Sequence, residues 1–280
     1  MSRCWLLLIG LMWGCMTARG PLIPTSMDPD VVVALARSRP MPQSLQGKFT
    51  VHIDLGDKTY TVPAALLLDQ PDRFRFELYT PFGTPLATVT SDGIALHGWS
   101  QREKVFYRGD DASHVLESLT GGKIGIEDML GIFTGMLPMA DAEVLHVGRT
   151  VFDREGVAIV MLGPDDIRLR AVIDPRIGMV RRLRVDPSSE NVGYQAPSTP
   201  PVLEVRYEGQ THAGKGILPK SILVDMPRLG WKIEIVVKKW KALEQAPEAF
   251  SLTPPPRSTV KDLRETLEEM AGRPAERPQP

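Results

Sequence analysis

Strict alternation of apolar and polar side chains is the feature that most limits how this chain can fold. The segment 73–78 alternates without exception, and the same pattern recurs at 167–173 and 231–237. Successive side chains of a β-strand point to opposite faces, so each segment predicts a strand with one apolar and one polar face. Turn-forming residues separate the segments at intervals of about ten residues, which favours an antiparallel meander over βαβ units. Between Leu45 and Lys241 the pattern predicts about eleven strands.

The N-terminal segment has the features of an export signal. Arg3 supplies a positive charge, and the apolar run that follows ends near Gly14. This run of about ten residues is shorter than the roughly 20 that a transmembrane helix needs. Gly14-Cys15 is similar to the site at which lipoprotein signal peptidase cleaves before a cysteine that becomes lipidated. We therefore predict a signal peptide at 1–14 and a lipid on Cys15; the alternative is ordinary cleavage, with Cys15 incidental.

Composition limits the class of protein. The other cysteine, Cys4, lies within the predicted signal, so the mature chain has no internal disulfide and must be stabilised by a core. A chain of 280 residues with 42% hydrophobic content can bury one large domain. The formal charge of −1 offers no basic field for nucleic acid. We expect a monomer that does not bind nucleic acid.

The chain divides into four predicted regions. Residues 15–27 form a lipidated N-terminus and a tether without regular structure, because glycine and proline recur there. The main domain spans 28–256 and opens with a short helix that Asp28 caps. Residues 257–280 form a short amphipathic helix, capped by Thr259 and carrying Val260, followed by a disordered tail. Within the main domain, 187–201 is rich in serine and proline and reads as an exposed loop.

A pair of apolar helices interrupts the strands in the middle of the chain. The first is predicted to begin at Asp111, and the second carries apolar residues at helical spacing, namely Ile126, Met129, Leu130, Phe133 and Leu137. Helices this apolar must cover another apolar surface. We expect them to cover the open face of the sheet.

No constellation typical of catalysis is present. The five histidines are scattered singly, without the spacing of metal ligands. There is no nucleophile elbow and no phosphate-binding glycine loop. The carboxylate pairs Asp110-Asp111 and Asp165-Asp166 fall where a turn or a helix cap is expected. We therefore predict a non-enzymatic protein with no catalytic residues, no metal and no cofactor.

The turn Pro81-Phe82-Gly83 places a large aromatic residue between two predicted strands. Two interpretations are open. Phe82 folds back into the core, where a buried phenylalanine contributes about 1.5–3 kcal/mol. Alternatively, Phe82 projects outward and enters another apolar phase such as a membrane.

An ordered series of short motifs resembles the LolA/LolB-like lipoprotein-localisation family, most closely its outer-membrane receptor branch, LolB. The motifs are Gln46-Gly47-Lys48-Phe49, Asp72-Arg73-Phe74-Arg75-Phe76, Pro81-Phe82-Gly83-Thr84, Leu119-Thr120-Gly121, Gly135-Met136-Leu137-Pro138, Lys239-Trp240-Lys241 and Phe250-Ser251-Leu252-Thr253-Pro254-Pro255. The resemblance covers about 45–256. The segment 187–201 and everything after Pro256 exceed the family pattern.

The resemblance implies a mainly β fold: an incomplete antiparallel β-barrel whose helices lid a hydrophobic cavity for acyl chains. Candidate cavity residues are Phe76, Leu78, Trp99, Phe106, Trp231, Ile233 and Ile235, each of which could instead simply pack the core. The resemblance further implies a membrane-inserting loop at Pro81-Phe82-Gly83 and a location at the periplasmic side of the outer membrane. It also implies that a periplasmic LolA-like carrier delivers lipoproteins. The alternatives are a periplasmic lipid carrier or sensor of the same fold, and an envelope assembly or scaffold lipoprotein.

Overall fold

The computed structural model describes residues 22–24, 28–112, 124–150, 156–163, 167–186, 200–245 and 248–272. Strands dominate this part of the chain. The strands are β1 (Leu22–Pro24), β2 (Ser44–Asp54), β3 (Thr59–Asp69), β4 (Arg73–Tyr79), β5 (Pro85–Asp92), β6 (Leu96–Ser100), β7 (Val105–Gly109), β8 (Glu143–Thr150), β9 (Val157–Leu162), β10 (Arg168–Ile173), β11 (Val180–Asp186), β12 (Leu203–Ala213), β13 (Gly216–Met226), β14 (Trp231–Leu243) and β15 (Thr259–Asp262). The helices are α1 (Pro29–Arg37), α2 (Ile126–Thr134) and α3 (Leu263–Gly272).

All fifteen strands belong to one sheet, which consists of two meanders. The order is β1-β8-β9-β10-β11-β12-β13-β14-β2-β3-β4-β5-β6-β7-β15. Every neighbouring pair is antiparallel except β15 and β7, which are parallel. The first and last strands of this order do not pair, so the sheet is open. The predicted mainly β, incompletely closed fold is confirmed.

The strand count differs from the prediction. Thirteen strands, β2 to β14, lie where about eleven were expected. Alternation undercounts strands such as β9, whose residues are apolar and buried along nearly the whole length. Strands buried on both faces read as continuous apolar runs and are therefore hard to count from periodicity.

The two faces of the sheet have different environments. The face that α1 and α2 cover, here called the inner face, carries the main core, including Leu45, Phe49, Leu66, Val205 and Ile222. The opposite face, here called the outer face, carries the polar residues of the alternating strands. Amphipathic strands thus direct their apolar side toward the helices, as the alternation predicts.

Local signals set the ends of α1 and α2. Asp28 caps α1 as predicted, accepting a hydrogen bond from the Asp30 N–H at 2.9 Å. Helix α2 ends at Gly135, which adopts a left-handed conformation with a φ of 70°. Asp128 stabilises the start of α2 by accepting a hydrogen bond from the Gly125 N–H at 3.2 Å. Among the described residues, the helices are too short or too polar to cross a bilayer.

The sheet extends past the predicted domain at both ends. Leu22–Pro24, expected within an irregular tether, forms β1 and pairs with β8. Val260, expected in the C-terminal helix, lies in β15; the helix begins at Leu263, and its cap is Asp262 rather than Thr259, accepting from the Glu265 N–H at 3.0 Å. The predicted signal peptide, Cys15, most of the first central helix, the 187–199 part of the predicted loop and the 273–280 tail lie outside the described residues.

Candidate functional site

The inner face brings together five of the residues predicted to line a cavity. Strand register places Phe76 beside Leu66, and Leu78 beside Ala64. On the other side of β2 and β3, β14 contributes Trp231, Ile233 and Ile235 to the same face. Phe76, Leu78 and Ile233 are partly buried and pack against the core, whereas Ile235 is buried. These residues lie on the same, largely apolar face of the sheet.

Trp99 and Phe106 do not belong to this surface. They pair with each other across β6 and β7, and Trp99 pairs with Thr88, which in turn pairs with Glu77. Glu77 follows Phe76 in β4 and therefore points to the opposite face. Trp99 and Phe106 thus lie on the outer face, apart from the other five residues predicted to line the cavity. Their apolar character identified strand positions, of which Phe106 is buried, but could not identify the side of the sheet.

Helix α2 closes the inner face through apolar and polar contacts. The ring of Phe133 lies 6.1 Å from that of Phe76. The Tyr207 O–H donates to the Ile132 carbonyl at 2.8 Å, and burial raises the pKa of Tyr207. This hydrogen bond fastens the last turn of α2 to β12. The predicted covering of the sheet by the central helices is confirmed for α2.

Arg39 also holds α2 in place, and no sequence pattern indicated this role. Its guanidinium is buried and donates to the Thr134 carbonyl at the end of α2 and to the Ile217 carbonyl in β13, both at 2.7 Å. Desolvation lowers the pKa of Arg39 to about 10, an effect that the nearby Tyr207 partly opposes. A cation at the C-terminal end of a helix interacts favourably with the helix dipole. Arg39 and Tyr207 together are called the α2 latch below.

The space between α2 and the sheet is small. A cavity of about 80 Å³ lies between α2, the segment after it and the end of β3, with Leu68, Leu130 and Leu137 among its lining residues. Cavities that hold small-molecule ligands measure about 300–1,000 Å³. An acyl chain therefore does not fit beneath α2 in this arrangement. Among the described residues, binding of an acyl chain in this cavity would require α2 to move.

A larger groove lies on the outer face. It measures about 730 Å³ and is lined by Gln46, Ala65, Leu66, Leu67, Arg75, Glu77, Tyr79, Leu243, Gln245 and Glu248. Arg75 forms an ion pair of 2.6 Å with Glu77, which also accepts a hydrogen bond from the Tyr79 O–H. Burial, aided by that hydrogen bond, raises the pKa of Tyr79 to about 12. Alternation assigned Arg75 and Glu77 to a solvent-facing surface, whereas both are mostly buried.

The turn between β4 and β5 holds Phe82 away from the core. Phe82 is 95% exposed. The Thr80 N–H donates to the Thr84 carbonyl at 2.8 Å, and the Gly83 N–H donates to the Thr80 carbonyl at 2.9 Å. Gly83 has a φ of 83°, a conformation that glycine adopts at little cost. Phe82 therefore does not fold back into the core: a hydrogen-bonded turn presents it to the surroundings.

Comparisons with known proteins identify the fold. No family model and no curated protein matches the sequence. Among solved structures, a LolA superfamily protein from Nitrosomonas europaea superposes with a TM-score of 0.54 at 12% identity, over 81% of this chain and 99% of that chain. A domain named for outer-membrane lipoprotein sorting from Vibrio parahaemolyticus gives a TM-score of 0.53 at 9% identity, over 78% and 94%.

A third similar structure is a DUF1329 family protein from Desulfovibrio piger, with a TM-score of 0.53 and 11% identity over 79% of this chain and 94% of that chain. These likenesses cover nearly the whole of each compared chain. They confirm the LolA/LolB-like architecture that the sequence motifs indicate. At these identities they define the fold and not the activity.

Proposed function

We propose that this protein is an envelope lipoprotein that binds acyl chains on its inner face and transfers them to the outer membrane. In this proposal Cys15 carries the lipid anchor, a LolA-like periplasmic carrier delivers the cargo, and the protein acts without catalysis. The observation that carries the proposal is Phe82, a large apolar side chain 95% exposed on a hydrogen-bonded turn. Exposing such a residue to water forgoes the stabilisation of burial unless an apolar phase receives it.

The inner face supports the binding half of the proposal. Its partly buried residues, among them Phe76, Leu78 and Ile233, would contact an acyl chain if α2 were displaced. An acyl chain gains about 0.8 kcal/mol for each buried CH₂ group, so a long chain can offset the loss of helix contacts. Binding of this kind needs no hydrogen-bonding motif. This fits a face whose side chains are almost entirely apolar.

A transfer assay tests the proposal. The purified protein is loaded with a fluorescent triacylated peptide, and passage of the peptide to vesicles is followed with time. Phe82→Ser should transfer several-fold more slowly and still load normally. Ile94→Ser is the matched control, because Ile94 is 77% exposed in the turn at the other end of β5.

The outcome distinguishes the proposed function from its two alternatives. Failure of the wild type to load would favour the envelope scaffold alternative. Normal loading with equal transfer by Phe82→Ser and the wild type would favour a carrier or lipid sensor.

A further inference from the structure

Five turns stand side by side at one end of the sheet. Because the strands are antiparallel, the turns that follow β13, β2, β4 and β6 share this end, and the hydrogen bond from the Thr259 N–H to the Lys104 carbonyl at 3.0 Å adds the turn before β15. In spatial order these turns are 227–230, 55–58, 80–84, 101–104 and 255–258. They are called the turn row below. Phe82 occupies its centre.

The turn row carries exposed positive charge on both sides of Phe82. Four basic residues in it are exposed and form no ion pair with any described residue, namely Arg102, Lys104, Arg228 and Arg257. The row contains two acidic residues, Asp57 and Glu103, against these four basic residues and Lys58, which lies 3.7 Å from Asp57. The row is therefore cationic although the whole chain has a net charge of −1.

Backbone conformation marks two of these cations. Lys104 and Arg257 have positive φ angles of 54° and 64°, a conformation that costs less for glycine or asparagine. Among the described residues, Met139 is the other non-glycine position with a positive φ. A long cationic side chain retained at a strained position points to a use for the side chain itself.

We propose that the turn row binds the surface of a membrane that contains anionic phospholipids. Phe82 enters the hydrocarbon, and the four cations contact phosphate groups around it. An apolar wedge flanked by basic residues is the combination that binds membrane interfaces, and each basic residue near an anionic surface adds to the attraction. The inference rests on the proposed membrane contact of Phe82 and deepens it by naming the lipid class.

The test compares binding to two vesicle preparations, phosphatidylcholine alone and an equimolar mixture with phosphatidylglycerol. All proteins are the mature chain from Met16 onward, produced without the signal peptide and without Cys15, so that neither the apolar signal nor an acyl anchor contributes. The turn-row variant carries Arg102→Gln, Lys104→Asn, Arg228→Gln and Arg257→Asn, where asparagine suits the two positive φ angles. The control variant carries Lys215→Gln, Lys220→Gln, Lys239→Gln and Lys241→Gln, exposed residues on β13, β14 and the turn between β12 and β13, away from the row.

The wild type and the control should bind the anionic vesicles about ten-fold or more tightly than the neutral ones, a preference that weakens with added salt. The turn-row variant should lose most of this preference. An environment-sensitive dye at Gln101→Cys, the single thiol of that mature chain, should shift to the blue on anionic vesicles, and a dye at Lys215→Cys should not. Should the turn-row variant misfold, Arg102→Gln with Arg228→Gln provides the same comparison at ordinary φ angles.

Equal binding of the wild type to both vesicles, or an unchanged preference in the turn-row variant, would overturn the inference. This result is distinguishable from failure of the proposed function. If Phe82→Ser slows transfer while the turn-row variant keeps the anionic preference, the result supports the proposed transfer function and contradicts lipid selection by the turn row. If Phe82→Ser transfers normally and only the turn-row variant loses the preference, the result supports anionic-membrane binding by the turn row and contradicts the proposed transfer function.

Discussion

At the residue scale, Phe49 and Phe82 have the same side chain but opposite environments, one buried and one exposed. Phe49 is 3% exposed on the inner face, and its ring meets that of Trp240 at 5.0 Å in an edge-on arrangement. Phe82 is 95% exposed. Its turn is held by backbone hydrogen bonds and by Gly83, so the side chain at its tip adds little to the free energy of unfolding.

We expect Phe82→Glu to leave the melting temperature nearly unchanged. The substitution removes no buried area and places a carboxylate in water. The comparison is Phe49→Ala, which should cost about 3–5 kcal/mol because it empties a packed position. Thermal unfolding followed by circular dichroism measures both. A fall of many degrees for Phe82→Glu would mean that Phe82 packs in the core.

At the element scale, the α2 latch decides whether the inner face is available. Arg39 reaches two carbonyls that belong to different elements, Thr134 at the end of α2 and Ile217 in β13. Tyr207 holds the Ile132 carbonyl. The apolar contacts of α2 are non-directional, whereas these hydrogen bonds require one position of the helix. The latch therefore specifies the closed arrangement.

We predict that Arg39→Met frees α2 without unfolding the sheet. The buried Thr134 carbonyl and the partly buried Ile217 carbonyl lose this donor, and a buried carbonyl left unsatisfied costs about 1–3 kcal/mol. Amide hydrogen exchange in 126–136 should accelerate, and loading of an acyl probe should become faster. Arg37→Met is the milder control, because Arg37 is exposed and donates to the Met139 carbonyl at 3.2 Å. Unchanged exchange in α2 would show that apolar packing alone holds the helix.

Alternation and motif order predicted the element types well. The strand at 73–78, the cap at Asp28 and an apolar helix from Ile126 are present, because each depends on residues close together in sequence. The apolar face of β14 was likewise predictable from its own pattern. Alternation with a period of two shows which residues of a strand share a face, and this can be read without knowing the partner strands.

Relations between distant elements were not predictable. The face on which Trp99 and Phe106 lie depends on the register of β4 to β7. The guanidinium of Arg39 meets carbonyls from residues far along the chain. The exposure of Phe82 depends on the turn geometry around Gly83, which the sequence left open between two interpretations. These are contacts that single-sequence patterns do not encode.

At the scale of the whole molecule, the pairing of β14 with β2 joins the two meanders. This ladder runs from Lys232 opposite Asp54 to Leu243 opposite Ser44. By contrast, β15 is a short strand whose four residues are all exposed. The first pairing holds the sheet together, whereas the second only extends its edge.

A chain ended after Met226 should therefore fail to fold into a soluble monomer, because it lacks β14 and leaves the edge of β2 open. A chain ended after Pro256 should keep its sheet and lose only modest stability. Size-exclusion chromatography and circular dichroism of the two shortened chains provide the measurement. Loss of the sheet in the longer of the two would show that β15 and α3 belong to the stable core.

The β14–β2 ladder also imposes an order of events as the chain is made. The first meander emerges early, but β2 must wait for β14, which follows after nearly the whole domain has been extruded. Pairings between distant segments form slowly, and an unpaired strand edge invites pairing with other chains. The newly made protein thus passes through a vulnerable interval that ends only when β14 arrives, and its yield should depend on how well holding chaperones shield the edge of β2 during that interval.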